Sequence, residues 1–402
     1  MSYEPLDFSQ ENLTWGLREV KEMFGDGIQE GCRQIAGRLV NWGIAMEFRE
    51  YLGAFRFERN QSRRGWRNGY RSRSLLTSVG ELQLEIPRDR AGEFQTTWVE
   101  RYRRVEGTVD KLICEMVIKG VSTNKVGDIL DAVMGYRLSK SYVSEATKEL
   151  DESVREYFAR PLDDDFVFVF LDGVVVKIRQ ELKAKRFPLL VAYGIRADGS
   201  RELLSFQKVK SESALCWQNF LENLKMRGLK GSNLKLLVMD GSDGLWKAAE
   251  AVYPWVEHQL CWVHKLRNLA NYCPKRYREA CLREAKEIMY ASSPTMAAKH
   301  FRQWRQRWQE KAPRTVNCLA ADFDKLIPVL SFPQSIRHMI RTTNVIERCF
   351  REVRRRLKVM GHFPNSDSCN RTVYALFAYF NSKWEQSNRK LNAVREIYKP
   401  AA

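Results

Sequence analysis

The run DDDFVFVFLDGVVVKIR, Asp163 to Arg179, constrains what this chain can fold into more than any other stretch. Phe166 to Leu171 carry no polar side chain, and beyond Asp172 and Gly173 a second β-branched run follows with Val174, Val175, Val176 and Ile178. A continuous apolar run bounded by turn-forming residues reads as a strand covered on both faces, which demands a layered sheet. Asp172 closes the first run. Burying a carboxylate is costly unless it is paired, hydrogen-bonded or bound to a metal, so Asp172 marks a candidate site. Asp163, Asp164 and Asp165 read as a solvated approach to the strand.

A second fully apolar strand, Leu234 to Met239, also ends on a carboxylate, Asp240. Between the two lie strand candidates at Phe187–Ile195 and Glu202–Gln207 and an amphipathic helix at Ser213–Met226, and a further helix spans Gly244–Val252. Three consecutive strands, a helix, a parallel strand and another helix describe an α/β sheet flanked by helices. Adjacent strand ends in such a sheet can bring Asp172 and Asp240 together. Asp243 reads as support for the turn after Asp240.

The third carboxylate of interest stands in TTNVIERCFREVRRRLK. Ile346, Phe350, Val353 and Leu357 share one helical face, and Glu347, Arg351, Arg354 and Lys358 form the neighbouring stripe. One reading is local: Asn344 caps the helix, Glu347 completes a capping box, and Glu347 with Arg351 makes an exposed ion pair. The other joins Glu347 to Asp172 and Asp240. Three hard oxygen ligands suit Mg²⁺ or Mn²⁺, and two such ions ~4 Å apart serve phosphoryl transfer. Arg351, Arg354, Arg355 and Lys358 would then flank the site with positive charge.

Charge supports a polyanionic partner. The 402 residues hold 67 Lys and Arg against 49 Asp and Glu, a formal charge of +18, which favours nucleic acid through phosphate contacts. A chain this long exceeds one ordinary core, so two or more domains are expected. No window of ~18 apolar residues and no signal-like N-terminus is present, which predicts a cytoplasmic protein without a membrane partner. Nine cysteines without framework spacing fit a reducing compartment.

The rest divides by composition. Residues 1–60 carry helical apolar spacing (Ile35, Leu39, Trp42, Met46) and suggest a helical, dimer-forming region. Residues 61–105 hold an arginine-rich arm and a hairpin turning at Gly80. In the arm, Arg63, Arg64, Arg67 and Arg71 interleave with Trp66 and Tyr70, as a DNA-backbone arm or a solvated linker would. Residues 106–155 read as short helices, with Ser122 as one cap. The last two are joined through Gly135 in a helix-turn-helix-like pair that offers Lys140, Ser141, Ser144 and Lys148 to a major groove. The sheet region spans 160–261, an all-helical stretch 262–333, a return to the sheet region 334–390, and a tail 391–402. Trp304 and Trp308, one turn apart, could stack on an unpaired base or fill the helical core.

RNGYRSR, IPRDRAGEF, the Asp172 strand, VMDGSDGLWKAAEAVYPWVEHQLCWVHKLRN and TTNVIERCFREVRRRLKVMGHFPN resemble the Mutator-type transposases of bacterial insertion sequences. The resemblance implies a ribonuclease H-like catalytic domain interrupted by a helical insertion, with Asp172, Asp240 and Glu347 as a DDE triad holding Mg²⁺ or Mn²⁺, in the two-ion arrangement. It also implies terminal inverted repeats and target DNA as partners, a homodimer, and a Cys-x-x-His pair matched by Cys261 and His264. Those two would shape the site, with His264 near the scissile phosphate, because a zinc centre wants four ligands and none completes it. Gly173 stands where a small residue such as alanine is expected. A ribonuclease H-like nuclease without strand transfer and a non-enzymatic DNA-binding regulator remain alternative readings.

Overall fold

Residue-level patterning explains most of the first half of the chain. The computed structural model describes residues 21–118, 121, 123–181, 183–386 and 392–398. Most of the first expected helix, the Ser122 cap and much of the tail therefore lie outside the described residues. Helix α1 (Ile28–Leu52) presents Ile44, Phe48 and Leu52 to the interior. Strands β1 (Arg67–Thr77) and β2 (Gly80–Asp89) form an antiparallel hairpin that begins well before Ser74, inside the arginine-rich arm. Its turn needs φ of 119° at Gly80, a backbone region that side chains disfavour. Asn41 ties α1 to β2 by donating to the Gln83 carbonyl at 3.0 Å and accepting the Glu85 N–H at 2.8 Å.

Helices α2 (Gly107–Ile118), α3 (Thr123–Met134) and α4 (Lys140–Ala146) follow and enclose Val109, Ile113, Val126, Leu130 and Val143. Ser139 caps α4 by accepting the Tyr142 N–H at 3.1 Å. These elements form one compact unit, Met1–Glu149, and the remainder, Leu150–Ala402, forms another. The break falls before helix α5 (Leu150–Ala159), earlier than the expected 155–160. The cause is packing: the Tyr157 hydroxyl donates to the Leu203 carbonyl at 2.8 Å and Arg371 pairs with Asp151 at 2.9 Å, both inside the second unit.

The second unit is built on β3 (Phe166–Gln180), β4 (Lys183–Arg196) and β5 (Arg201–Lys208), then α6 (Ala214–Met226), β6 (Leu236–Met239), α7 (Asp243–Val252) and β7 (Glu257–Leu260). Their order across the sheet is β5-β4-β3-β6-β7, with β3–β4 and β4–β5 antiparallel and β3–β6 and β6–β7 parallel. Val169, Leu171, Trp217, Phe220, Leu245 and Ala249 fill the layer under α6 and α7.

Six helices come next: α8 (Trp262–Tyr272), α9 (Arg278–Met289), α10 (Pro294–Trp308), α11 (Pro313–Ala321), α12 (Phe323–Leu326) and α13 (Gln334–Ile340). Then α14 (Asn344–Met360), α15 (Ser366–Gln386) and α16 (Asn392–Tyr398) close the chain. Phe168, Phe170, Val174 and Val176 share the opposite layer with Trp262, Ile346, Phe350 and Phe377. Gln259, fully buried on β7, donates to the Leu326 carbonyl at 3.1 Å and accepts the Val329 N–H at 2.8 Å, fastening the helical stretch to the sheet. Trp304 and Trp308 belong to the helical core, their indole N–H groups donating to the Cys281 carbonyl and to Glu284.

Candidate active site

Strand register assembles the site. Leu171 pairs with Met239, and Met239 with Leu260, in parallel ladders. One residue further on stand Asp172, Asp240 and Cys261, so the three form a row: Asp240 and Cys261 lie just past the ends of β6 and β7, whereas Asp172 does not close its strand, because β3 continues unbroken to Gln180. Phe170 and Val238 face the layer shared with α14, and a side-chain period of two turns Asp172 and Asp240 toward that layer as well. Cys261 holds its place by donating its N–H to the Met239 carbonyl at 2.8 Å.

The row is strongly electrostatic. Asp172 is 3% exposed. Burial pushes its carboxyl up to about 7; His264 opposes the rise, while Asp240 and Glu347 add to it. Asp240 is also raised by burial, offset by the Ser242 N–H at 3.1 Å and by His264. Burial is the main cause for both aspartates, with His264 the opposing charge, and a cation would relieve the cost of burying them.

Helix α8 starts directly after Cys261, which places His264 in its first turn and Arg267 one turn later on the same face. His264 Nε2 lies 3.4 Å from Glu347 Oε1. The Arg267 guanidinium grips both Glu347 oxygens, at 2.6 and 2.9 Å, and holds that carboxyl below its ordinary value. Glu347 therefore does not close a capping box; its carboxylate leaves its own helix for α8.

Cys261 reaches α14 too: its Sγ accepts the Thr343 N–H at 3.3 Å and the Thr343 hydroxyl at 3.5 Å. Burial pushes the thiol up, but the adjacent His264 ring and Thr343 bring it below its usual value. The His264 ring is raised in turn, with Cys261 the main cause and Asp172 and Asp240 contributing. Its buried Nδ1 makes no hydrogen bond of good geometry.

Among the described residues no group of three or more His, Cys, Asp or Glu is gathered closely enough to hold a metal. Asp172 and Asp240 stand side by side on paired strands, and the Glu347 carboxylate is held by Arg267 on α8. As buried hard oxygen donors, the aspartates suit Mg²⁺ or Mn²⁺.

Residues outside this row sort as follows. Asp164 accepts the Gly231 and Ser232 N–H groups at 2.6 and 3.1 Å, and Asp163 and Asp165 pair with Arg196, so this approach is structural. Arg63 donates to the Phe55 and Glu58 carbonyls and Arg67 to the Ala54 carbonyl, which turns both inward. Arg64 and Arg71 are exposed. Lys140, Ser141, Ser144 and Lys148 all face solvent, with Lys148 paired to Glu145 at 2.6 Å. Arg351 and Arg354 are exposed, and Arg355 pairs with Glu352 at 3.0 Å. The Lys358 side chain lies outside the described residues.

Three contributors escape sequence reasoning. Arg267 could have been found from its spacing to His264, and Thr343 from its place before the α14 helix. Glu212 gives no signal in sequence. A side chain on Gly173 would come within 2.4 Å of Glu212 Oε1, so the bare Gly173 leaves room for that carboxylate. Burial and Asp240 raise the Glu212 carboxyl.

The Mutator-family transposase model matches residues 10–387. The transposase for insertion sequence element ISRM5 of Rhizobium meliloti (strain 1021) is 34% identical over 90% of this chain and 91% of its own length. The transposase for insertion sequence element IS256 in transposon Tn4001 of Staphylococcus aureus is 34% identical over 95% of this chain and 98% of its own. A solved Drosophila P element transposase strand transfer complex is similar with a TM-score of 0.32 and 11% identity, covering 76% of this chain and 85% of that one, too slight a likeness to build on. The chain belongs to the Mutator family of transposases, with insertion-sequence transposases among its relatives.

Proposed function

We propose that this chain is a DDE transposase that binds the terminal inverted repeats of an insertion sequence, cleaves DNA strands and joins the freed 3′-hydroxyls to target DNA, using two Mg²⁺ or Mn²⁺ ions. The observation that carries the reading is the row of Asp172 within β3 and Asp240 and Cys261 just past the ends of β6 and β7, set side by side by parallel register, with Glu347 brought to it by α14. Three antiparallel strands followed by two parallel ones support a ribonuclease H-like sheet. The helical stretch that leaves after Cys261 and returns at Arg341 supports the reading of an insertion, since the Trp262 N–H donates to the Arg341 carbonyl at 3.3 Å.

Asp172, Asp240 and Glu347 would hold the cations, with Glu347 shared between that role and its pairing with Arg267. Bound cations supply activation of the attacking oxygen and stabilisation of the leaving oxygen. The chain's own part is placement: Cys261 pins the start of α14, His264 steadies Glu347 and offers positive charge toward the scissile phosphate, and the burial of Asp172 excludes water. Arg64, Arg71, Lys140, Ser141, Ser144 and Lys148 in the first unit, and Arg351, Arg354, Arg355 and Lys358 on α14, supply DNA contacts. Two ends must be brought together, which favours a homodimer built through residues 1–60.

Strand transfer by Asp172→Asn, Asp240→Asn and Glu347→Gln proteins that still bind end DNA tests the assignment, and activity should fall to background in each. Retained joining by any of them removes that residue from the set. Nicked but unjoined plasmid from the unaltered protein, given 3′-hydroxyl ends and target, would make it a nuclease instead.

A further inference from the structure

The two faces of β3 part company beyond the site. On one face Asp172, Val174, Val176 and Ile178 stay buried as far as the exposed Gln180, and the segment after α14 pairs with the strand edge: Arg179 donates its N–H to the Phe363 carbonyl at 2.8 Å, and Phe363 donates to the Lys177 carbonyl at 2.9 Å. On the other face Val169 and Leu171 are buried under α6 and α7, but Val175 is 52% exposed and Lys177 and Arg179 are open. Register places Lys177 opposite Arg186 and Val175 opposite Pro188. With Lys210 these residues line a groove of about 460 Å³.

Its chemistry is one-sided. Lys177, Arg186 and Lys210 have no carboxylate partner among the described residues, and the rest of the lining, Val175 and Pro188, is apolar. Three cations with no amide, hydroxyl or acidic side chain in the lining suit phosphates irrespective of sequence. Lys177 lies five residues beyond Asp172 on the same strand but on the opposite face of the sheet, ~17 Å along at strand rise, or roughly five base pairs along a duplex axis.

We infer that the bare outer face of the β3–β4 hairpin, centred on Lys177, Arg186 and Lys210, is a docking surface for the backbone of target DNA. This rests on the transposase reading above. Target DNA is the occupant because it is the duplex held without a fixed sequence, whereas end DNA calls for base readout.

The test measures binding of a scrambled-sequence duplex and of an end-sequence duplex to the full chain across a salt series. Lys177→Ala/Arg186→Ala/Lys210→Ala should bind the scrambled duplex more weakly, with the slope of log affinity against log salt reduced by about 2–3. Its preference for the end duplex over the scrambled one should rise. The charge-keeping Lys177→Arg/Arg186→Lys/Lys210→Arg protein should behave as the unaltered chain does, which separates lost charge from misfolding. An unchanged slope for the scrambled duplex, a loss confined to the end duplex, or equal loss in the charge-keeping protein each overturns the inference. Because binding alone is read, the result stands apart from whether Asp172, Asp240 and Glu347 perform strand transfer.

Discussion

Arg267 and Asp172 set the energetics of the candidate site between them. Arg267 engages both oxygens of Glu347, and hydrogen bonds to charged groups contribute ~1.5–3 kcal/mol. A cation that recruits Glu347 must displace that grip. Arg267→Ala should therefore bind Mn²⁺ about tenfold more tightly by calorimetry; weaker binding would show that Arg267 supports the cation site and does not compete with it. Asp172 gives a second expectation. Its folded carboxyl is held near 7, above its unfolded value, so the folded chain keeps a proton that the unfolded chain releases earlier. That contribution is fully present below the ordinary carboxylate range and is lost as pH rises through about 7. In chelator, the melting temperature should fall over this window, and Asp172→Asn should flatten the fall. At this scale the sequence was legible where polarity contradicts burial, as at Asp172 and Asp240, whose carboxylates end apolar runs. Glu212 was not legible, because its place depends on the empty space over Gly173.

Elements explain why Glu347 arrives where it does. Cys261 joins the sheet edge to α14 through Thr343. Cys261→Ala leaves the buried Thr343 N–H without its acceptor, at ~1–3 kcal/mol. Amide exchange in the first turn of α14 should quicken, with the distant helix α10 unchanged; equal exchange there would deny Cys261 a positioning role. The apolar face of α14 was readable from the spacing of Ile346, Phe350 and Val353, which are all buried. The direction of Glu347 was not, since a capping box and a contact to another helix require the same residue at the same position. The arginine-rich arm illustrates the same limit: composition marks it as basic, but only the backbone shows that Arg63 and Arg67 turn inward to carbonyls.

Across the whole molecule, the division at Leu150 assigns α5 to the second unit. Tyr157 and Asp151 bind Leu203 and Arg371 there, and Arg227 donates to the Tyr157 carbonyl at 3.1 Å. A fragment of residues 150–402 should melt cooperatively, and one of 160–402 several degrees lower; coincident melting curves would mean that α5 is dispensable. Sequence placed this break late because nothing in the composition around residue 150 marks a boundary, and only the tertiary partners of α5 do.

The hydrogen bond from Trp262 to Arg341 brings the two ends of the helical stretch together beside Cys261 and Thr343. A detour whose start and finish already touch can change length at its far side with little strain on the sheet, since extra loop length adds entropy cost only slowly. Descendants of this chain could therefore gain or shed helices around α10 and keep the spacing between Asp240 and Glu347 in space while their spacing in sequence drifts. The place where the chain is most free to diverge is thereby moored next to the place where it is least free.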